Sequence, residues 1–296
     1  MSQQLANQTA TKAPESPAMK SWKEFMGRLL SNKSAVTGGI LIILLAILAI
    51  VGPFVAPYGI NEQNFAAKLQ GPSAEYWFGT DNFGRDVFSR ILHGMHLTFI
   101  IGFASVAIAG TVGTVIGIVS GYYGGKTDSI IMRFVDVLLA FPGIILALAI
   151  VATLGSGIQN VIIAISIGSI PVFARIARGS TLSVKKLEYI DAVKALGASD
   201  ARIIFKHVLP NTMSPLIVQT TLSIATGVLA AAGLSFLGLG APSPTPEWGA
   251  MLNEGKNFMF NAGHLTYAPG LAIVVFVLAF NIFGDGLRDA LDPKLK

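Results

Sequence analysis

The chain has 296 residues, of which 52% are hydrophobic and only 12% charged, with a mean hydropathy of +0.64 and a net charge of +5. Soluble domains carry about 25% charged residues; the composition therefore excludes an ordinary soluble domain, and the absence of cysteine excludes disulfides, thiol chemistry and thiolate metal ligands. Crossing a hydrocarbon core about 30 Å thick takes about 20 apolar residues, and the sequence offers six such runs, at 35–55, 97–119, 130–154, 158–173, 215–237 and 267–283. The predicted fold is an all-α integral membrane protein with six transmembrane helices and both termini cytoplasmic.

Residues 1–20 are mostly Gln, Thr, Ser, Ala and Pro, too little to bury, and read as a disordered tail. Ser21 and Glu24 then form a capping box, and Trp22, Phe25, Met26, Leu29 and Leu30 follow at helical spacing with Lys23, Arg28 and Lys33 off that face. The stretch 21–34 is thus an amphipathic helix on the inner membrane surface. The first span, 35–55, lacks a small-residue cleavage site and reads as retained rather than as a signal peptide. With a cytoplasmic N-terminus, every one of the 21 Lys and Arg except Lys68, Arg85, Arg90 and Lys256 falls on the inner side, as the positive-inside rule requires. The basicity sets topology and calls for no nucleic-acid partner.

An outer segment, 56–96, follows. In it Asp86 can open a helix, where the dipole favours negative charge, and Arg85 and Arg90 lie close enough to pair with Asp81 or Asp86. This corner is either self-satisfied or a docking surface for an external partner. The remaining core, 97–284, contains several motifs that fail on inspection. Gly125-Lys126-Thr127 resembles the end of a phosphate-binding loop, but position 120 is Ser and the segment joins two spans, so it reads as a glycine turn. The four histidines, His93, His96, His207 and His264, form no metal-ligand pattern, and no serine sits in G-x-S-x-G. In the third span Arg133 and Asp136 intrude near the cytoplasmic end and can satisfy each other or a neighbouring helix. Pro142-Gly143 and Pro171 are candidate bends in the third and fourth spans.

Between spans four and five lies a polar island, 175–211, with seven Lys and Arg. Its first helix carries Glu188 and Asp191 early and Leu187, Ile190, Val193 and Leu196 as apolar positions. Gly197 breaks it, Ser199 or Asp200 caps a second helix, and that helix stops at Pro210. Two short helices hinged at a glycine and rooted in two spans make a knob able to carry force. Glu188 and Asp191 share one helix face, and Ala192 beside them is small enough for a partner to approach closely. In the fifth span, Gln219, Thr220, Thr221, Ser223 and Thr226 are polar. They serve helix packing or, for Gln219, Thr220 and Ser223, line a substrate passage. The outer loop around Pro242, Pro244 and Pro246 is extended, Trp248 reads as an interface anchor, and 285–296 is a cytoplasmic tail.

Asp191-Ala192-Val193, three residues, Gly197 and then Leu209-Pro210 reproduce the spacing of the EAA loop of ABC importer permeases, with Asp for Glu, Val for the second Ala and His207 where Ile is usual. Gly79-Thr80-Asp81, Gly84-Arg85-Asp86, Ser89-Arg90, Phe141-Pro142-Gly143, Ser235 to Gly240, Pro246-Glu247-Trp248-Gly249 and Gly284 to Asp289 sharpen the match. Over nearly the whole chain it resembles the C-type permease subunit of dipeptide/oligopeptide importers. The resemblance implies a type I ABC importer permease paired with a B-type permease, two cytoplasmic ATPase subunits and an extracytoplasmic solute-binding protein. It implies ATPase coupling through Glu188, Asp191, Ala192 and Gly197. It also implies a non-catalytic chain that binds no cofactor, ATP and Mg residing on the ATPases. Relatives of this type carry peptides, glutathione or nickel complexes. The rival classes are an ion-coupled secondary transporter, which needs coordinating groups near the midplane, and a membrane scaffold or receptor.

Overall fold

The computed structural model describes residues 17–291. Among them every regular element is helical, apart from one isolated bridge between Thr80 and Asp86. Helix α1 (Pro17–Ser31) half-buries Phe25, Met26 and Leu29 and exposes Glu24 and Arg28, the pattern of a helix lying along an interface. It starts four residues before the expected Ser21, and of the tail expected over 1–20, residues 1–16 lie outside the described residues. Asn32 turns the chain into α2 (Lys33–Val55) by accepting from the Ala35 amide at 3.0 Å, while its own amide reaches Asp289 at 3.3 Å.

Helices α2, α3 (Val87–Tyr123), α6 (Ile158–Lys185), α9 (Leu209–Phe236) and α11 (His264–Leu291) are long and apolar enough to span a membrane. The segment expected as a continuous span over 130–154 is not one helix. It consists of α4 (Gly125–Leu139) and α5 (Gly143–Leu154), bent by 88° at the break. Pro142 lacks the amide that would continue α4 and instead stands as the N-cap of α5. At about 1.5 Å per residue neither piece reaches across a core about 30 Å thick by itself. Pro171, by contrast, sits inside an uninterrupted α6.

Close helix approach rests on glycine. A Cβ at Gly113 would lie 2.7 Å from the Ile170 carbonyl oxygen, and one at Gly117 would lie 2.3 Å from that of Ala174, so α3 and α6 pack backbone against backbone, as small residues permit in lipid. Across the bundle, Gly286 of α11 meets the backbone of Ala35 in α2 in the same way, at 2.3 Å. Phe99, Phe276 and Phe280 interlock at ring distances of 4.8 to 6.3 Å. Trp248, which opens α10 (Trp248–Gly255), is fully buried and donates from Nε1 to the Ile91 carbonyl at 3.1 Å. It is therefore a core side chain and not the interface anchor expected, because its ring fits against Phe276 while its one polar atom finds a backbone partner.

The outer segment folds onto a buried charge cluster. Arg85 and Arg90, 2% and 1% exposed, share Asp81 and Glu254: Arg85 meets Asp81 at 2.5 Å and Glu254 at 2.9 Å, and Arg90 meets them at 3.8 and 3.4 Å. Ser243 donates to Glu254, and Arg90 to the Pro244 carbonyl. Arg85, Arg90 and Asp81 thus satisfy one another, with Glu254 of α10 as a partner that local spacing could not reveal, while Asp86 takes no part in these ion pairs. Asp86 caps α3 by accepting from the Ser89 amide at 2.7 Å, which extends that helix ten residues outward of the apolar run at 97–119.

Candidate functional site

On the cytoplasmic side, α6 runs twelve residues past its apolar run and hands over to α7 (Glu188–Ala195). Ile190 is buried and Val193 half-buried, so α7 rests one edge on the bundle and leaves Glu188, Asp191 and Ala192 together on its exposed side. Gly197 ends the helix at φ 82, with its amide on Lys194 O and the Ala198 amide on Val193 O. Those two bonds are a Schellman C-cap, which asks for a left-handed residue and so for glycine. The glycine expected as the hinge thus closes the helix with a defined C-cap. Ser199 then caps α8 (Asp200–Ile203) through the Arg202 amide.

The second island helix, expected to stop at Pro210, runs on. Ile204–Val208 makes one π turn and α9 follows without a break, leaving Pro210 in its first turn. A proline crowds the carbonyl four residues back, and the wider π turn gives the ring room. The Asn211 amide takes up the His207 carbonyl at 2.7 Å. Leu196, one of the apolar positions of the first island helix, is 88% exposed, and Phe205 is 70% exposed. Acidic and small residues flanked by exposed apolar ones suit a protein partner. Nothing in the sequence marks Phe205 for this role.

Polar contacts tie this knob to α3 and join α6, the helix that leads into it, to α4. The Tyr122 hydroxyl, at the end of α3, donates to Asp200 at 2.7 Å, and Lys185 donates to the Tyr122 carbonyl at 2.6 Å. Arg178 of α6 grips Asp128 of α4 with two bonds of 2.6 Å. Asp136 pairs with Arg175 of α6 at 2.6 Å, so of the two partners open to it the neighbouring helix is the one used, not Arg133. The signal was present only as charges at helix ends, with no way to match them.

The three passage candidates are not brought together. Gln219 donates to Ser223 at 2.9 Å, whereas Thr220 bonds its own helix at Leu216 O and lines a separate cavity of about 360 Å³ with Thr111, Thr114 and Phe173. Thr221 and Thr226 likewise bond their own helix. Helix packing through these hydroxyls is therefore not interhelical. Among the described residues, no group of three or more His, Cys, Asp or Glu has the spacing to hold a metal ion.

Long spans carrying one rigid helical knob define a membrane permease of the type I ABC importer fold. Structural likeness agrees: the MetNI methionine ABC transporter, inward facing, superposes with TM-score 0.58 over 69% of this chain and 96% of that one at 21% identity. An amino acid ABC transporter superposes at 0.52, with 68% and 93% covered and 14% identity. The chain belongs to the family described as binding-protein-dependent transport system inner membrane component, whose model matches residues 113–296. A second model, the N-terminal TM domain of oligopeptide transport permease C, matches residues 20–72. The dipeptide transport system permease protein DppC of Alkalihalophilus pseudofirmus is 46% identical over all of both chains. The glutathione transport system permease proteins GsiD of Pectobacterium atrosepticum and Escherichia coli are 49% and 50% identical, each over 93% of this chain and 92% and 91% of their own. This chain is a multi-pass transmembrane subunit of an ABC importer in the cytoplasmic membrane, a machine that also contains ATPase and binding-protein components.

Proposed function

We propose that the chain is the C-type half of a heterodimeric permease that imports dipeptides or oligopeptides, with a B-type permease as its other half. Two ATPase subunits supply the energy and hold ATP and Mg, and this chain binds no cofactor and catalyses no reaction. The observation that carries the reading is the exposed Glu188, Asp191 and Ala192 face on a helix closed at Gly197 and rooted through Asp200 on Tyr122. A stop of fixed geometry passes on a partner's displacement, where a mobile loop would absorb it.

The test is cross-linking in the assembled complex. A cysteine at Ala192, in a chain that has no other thiol, is expected to join cysteines in the ATPase cleft. Ala192→Phe, which overpacks the contact by about 1–3 kcal/mol, is expected to weaken ATPase association about ten- to a hundredfold, and Lys194→Ala far less. Absence of the Ala192 cross-link in every nucleotide state, with cross-links from Lys126 or Arg288 instead, would move the coupling site. The GsiD relatives favour glutathione as a second cargo. Mass spectrometry of the ligand carried by the purified binding protein decides between the two.

A further inference from the structure

A cavity of about 400 Å³ on the extracytoplasmic side, formed within the outer segment, plays no part in the importer reading so far. Its walls include Glu62, Glu75, Asp86, Tyr58 and Tyr76. Among the described residues none of the three carboxylates is in an ion pair, because the guanidiniums of Arg85 and Arg90 are both taken by Asp81 and Glu254. Lys68 lies over the Phe65 ring at 4.6 Å. Asp86 is 3% exposed; one of its oxygens caps α3, and the other, Oδ1, has no hydrogen-bond partner. A buried carboxylate oxygen without a partner stands beside the exposed carboxylates of Glu62, which accepts from the Gly59 amide at 2.9 Å, and Glu75, so negative charge gathers here with no cation against it.

The geometry points to this cavity as a socket for an organic cation: a lysine ammonium or arginine guanidinium presented by the solute-binding protein. Tyr58 and Tyr76 are stacked with centroids 5.1 Å apart, and aromatic walls favour an organic cation over a hydrated one. The carboxylates lack the spacing of a metal site. The Tyr58 phenol is held above its ordinary range, first by desolvation and then by Tyr76 and the carboxylates Glu75 and Asp86. Transported cargo is a poorer occupant, because the cavity shares no residue with the one lined by Thr220. The cavity closes on the same segment as the charge cluster that holds α10 and the proline loop, so a partner docked there bears on a rigid surface. The assignment rests on the importer reading, which supplies the binding protein.

The experiment uses the complete complex in lipid nanodiscs with its own binding protein. Glu62→Gln/Glu75→Gln, and separately Asp86→Asn, which keeps an N-cap residue, are expected to leave basal ATP hydrolysis unchanged. Each variant is expected to weaken binding-protein affinity at low ionic strength by about fivefold to tenfold, with the difference vanishing in high salt. A zero-length carbodiimide is expected to join Glu62 or Glu75 to a binding-protein lysine, or, if the guest is arginine, to give no adduct while the affinity loss remains. Unchanged affinity in both variants overturns the socket. So does an affinity loss that chelator reproduces in the wild type, which would reveal a metal, or an adduct with a free amine cargo in the absence of binding protein. A wild-type complex whose hydrolysis ignores the binding protein overturns the importer reading itself, a result separate from any of these.

Discussion

Arg85 and Arg90 are among the largest fully buried side chains of the chain, and both stand on the outer side, away from the ATPases. Two guanidiniums facing Asp81 and Glu254 balance charge, and the Ile60 and Pro244 carbonyls accept from Arg90 Nη1. Removing one partner strands a buried charge, at about 3–5 kcal/mol. Arg85→Ala is therefore expected to lower the melting temperature of the purified complex by several degrees, and Lys68→Ala to leave it unchanged. Equal melting curves for the two variants would show that the cluster is solvated. Gly197 is the converse case. Nothing lies within 4 Å of a Cβ built there, so only its φ of 82 resists substitution. Gly197→Val is expected to cost about 1–2 kcal/mol locally, lowering uptake while membrane yield holds. Gly197→Asn, which tolerates left-handed angles, is expected to lose much less. Full uptake in a well-expressed Val variant would remove the C-cap from the coupling mechanism.

At the scale of elements, α3 is the member that joins the two ends. Its 37 residues, at about 1.5 Å each, make a rod roughly 55 Å long. Asp86 caps its outer end beside the charge cluster, and Tyr122 holds its inner end against Asp200 and Lys185. Gly113 and Gly117 pack it backbone against backbone on α6, so a displacement of the helix that leads into the knob is expected to reach the rod. Tyr122→Phe keeps the ring and deletes one hydrogen bond, worth about 0.5–1.5 kcal/mol. Uptake per ATP hydrolysed is expected to fall severalfold, with hydrolysis itself retained. A Phe variant with wild-type stoichiometry would show that the knob drives the spans through other contacts.

For the whole molecule, the decisive property is how little charge the spans contain. A charge near the centre of a spanning helix costs about 3 kcal/mol on insertion scales and usually marks an ion or proton path. The charged pairs of the spans, Arg178 with Asp128 and Arg175 with Asp136, lie instead toward the cytoplasmic ends. Uptake by the reconstituted complex is expected to persist when an ionophore collapses proton and sodium gradients and to stop when ATP is withdrawn. Loss of uptake with the gradient while ATP remains would favour an ion-coupled carrier.

The apolar runs, the basic residues gathered into a few segments, and the stop of the first island helix with the cap of the next were legible in the residues alone. Each depends on neighbours a few positions apart: an apolar run long enough for the bilayer, basic residues on one side, and a glycine followed by Ser199. Helix lengths were not, since α3 and α6 continue beyond their apolar runs where caps and polar partners satisfy them. The 88° break after α4 and the passage of α9 through Pro210 depend on whether neighbouring structure leaves room for a proline. Trp248 against Ile91 O, Arg85 with Glu254 and Tyr122 with Asp200 join residues 78 to 169 positions apart. Local patterning thus determined that this is a multi-pass membrane protein with one charged helical handle, and motif spacing supplied its resemblance to a permease. Only the tertiary structure decided what the handle is tied to, because burial pairs charged and aromatic groups by proximity in space, and sequence distance carries no record of it.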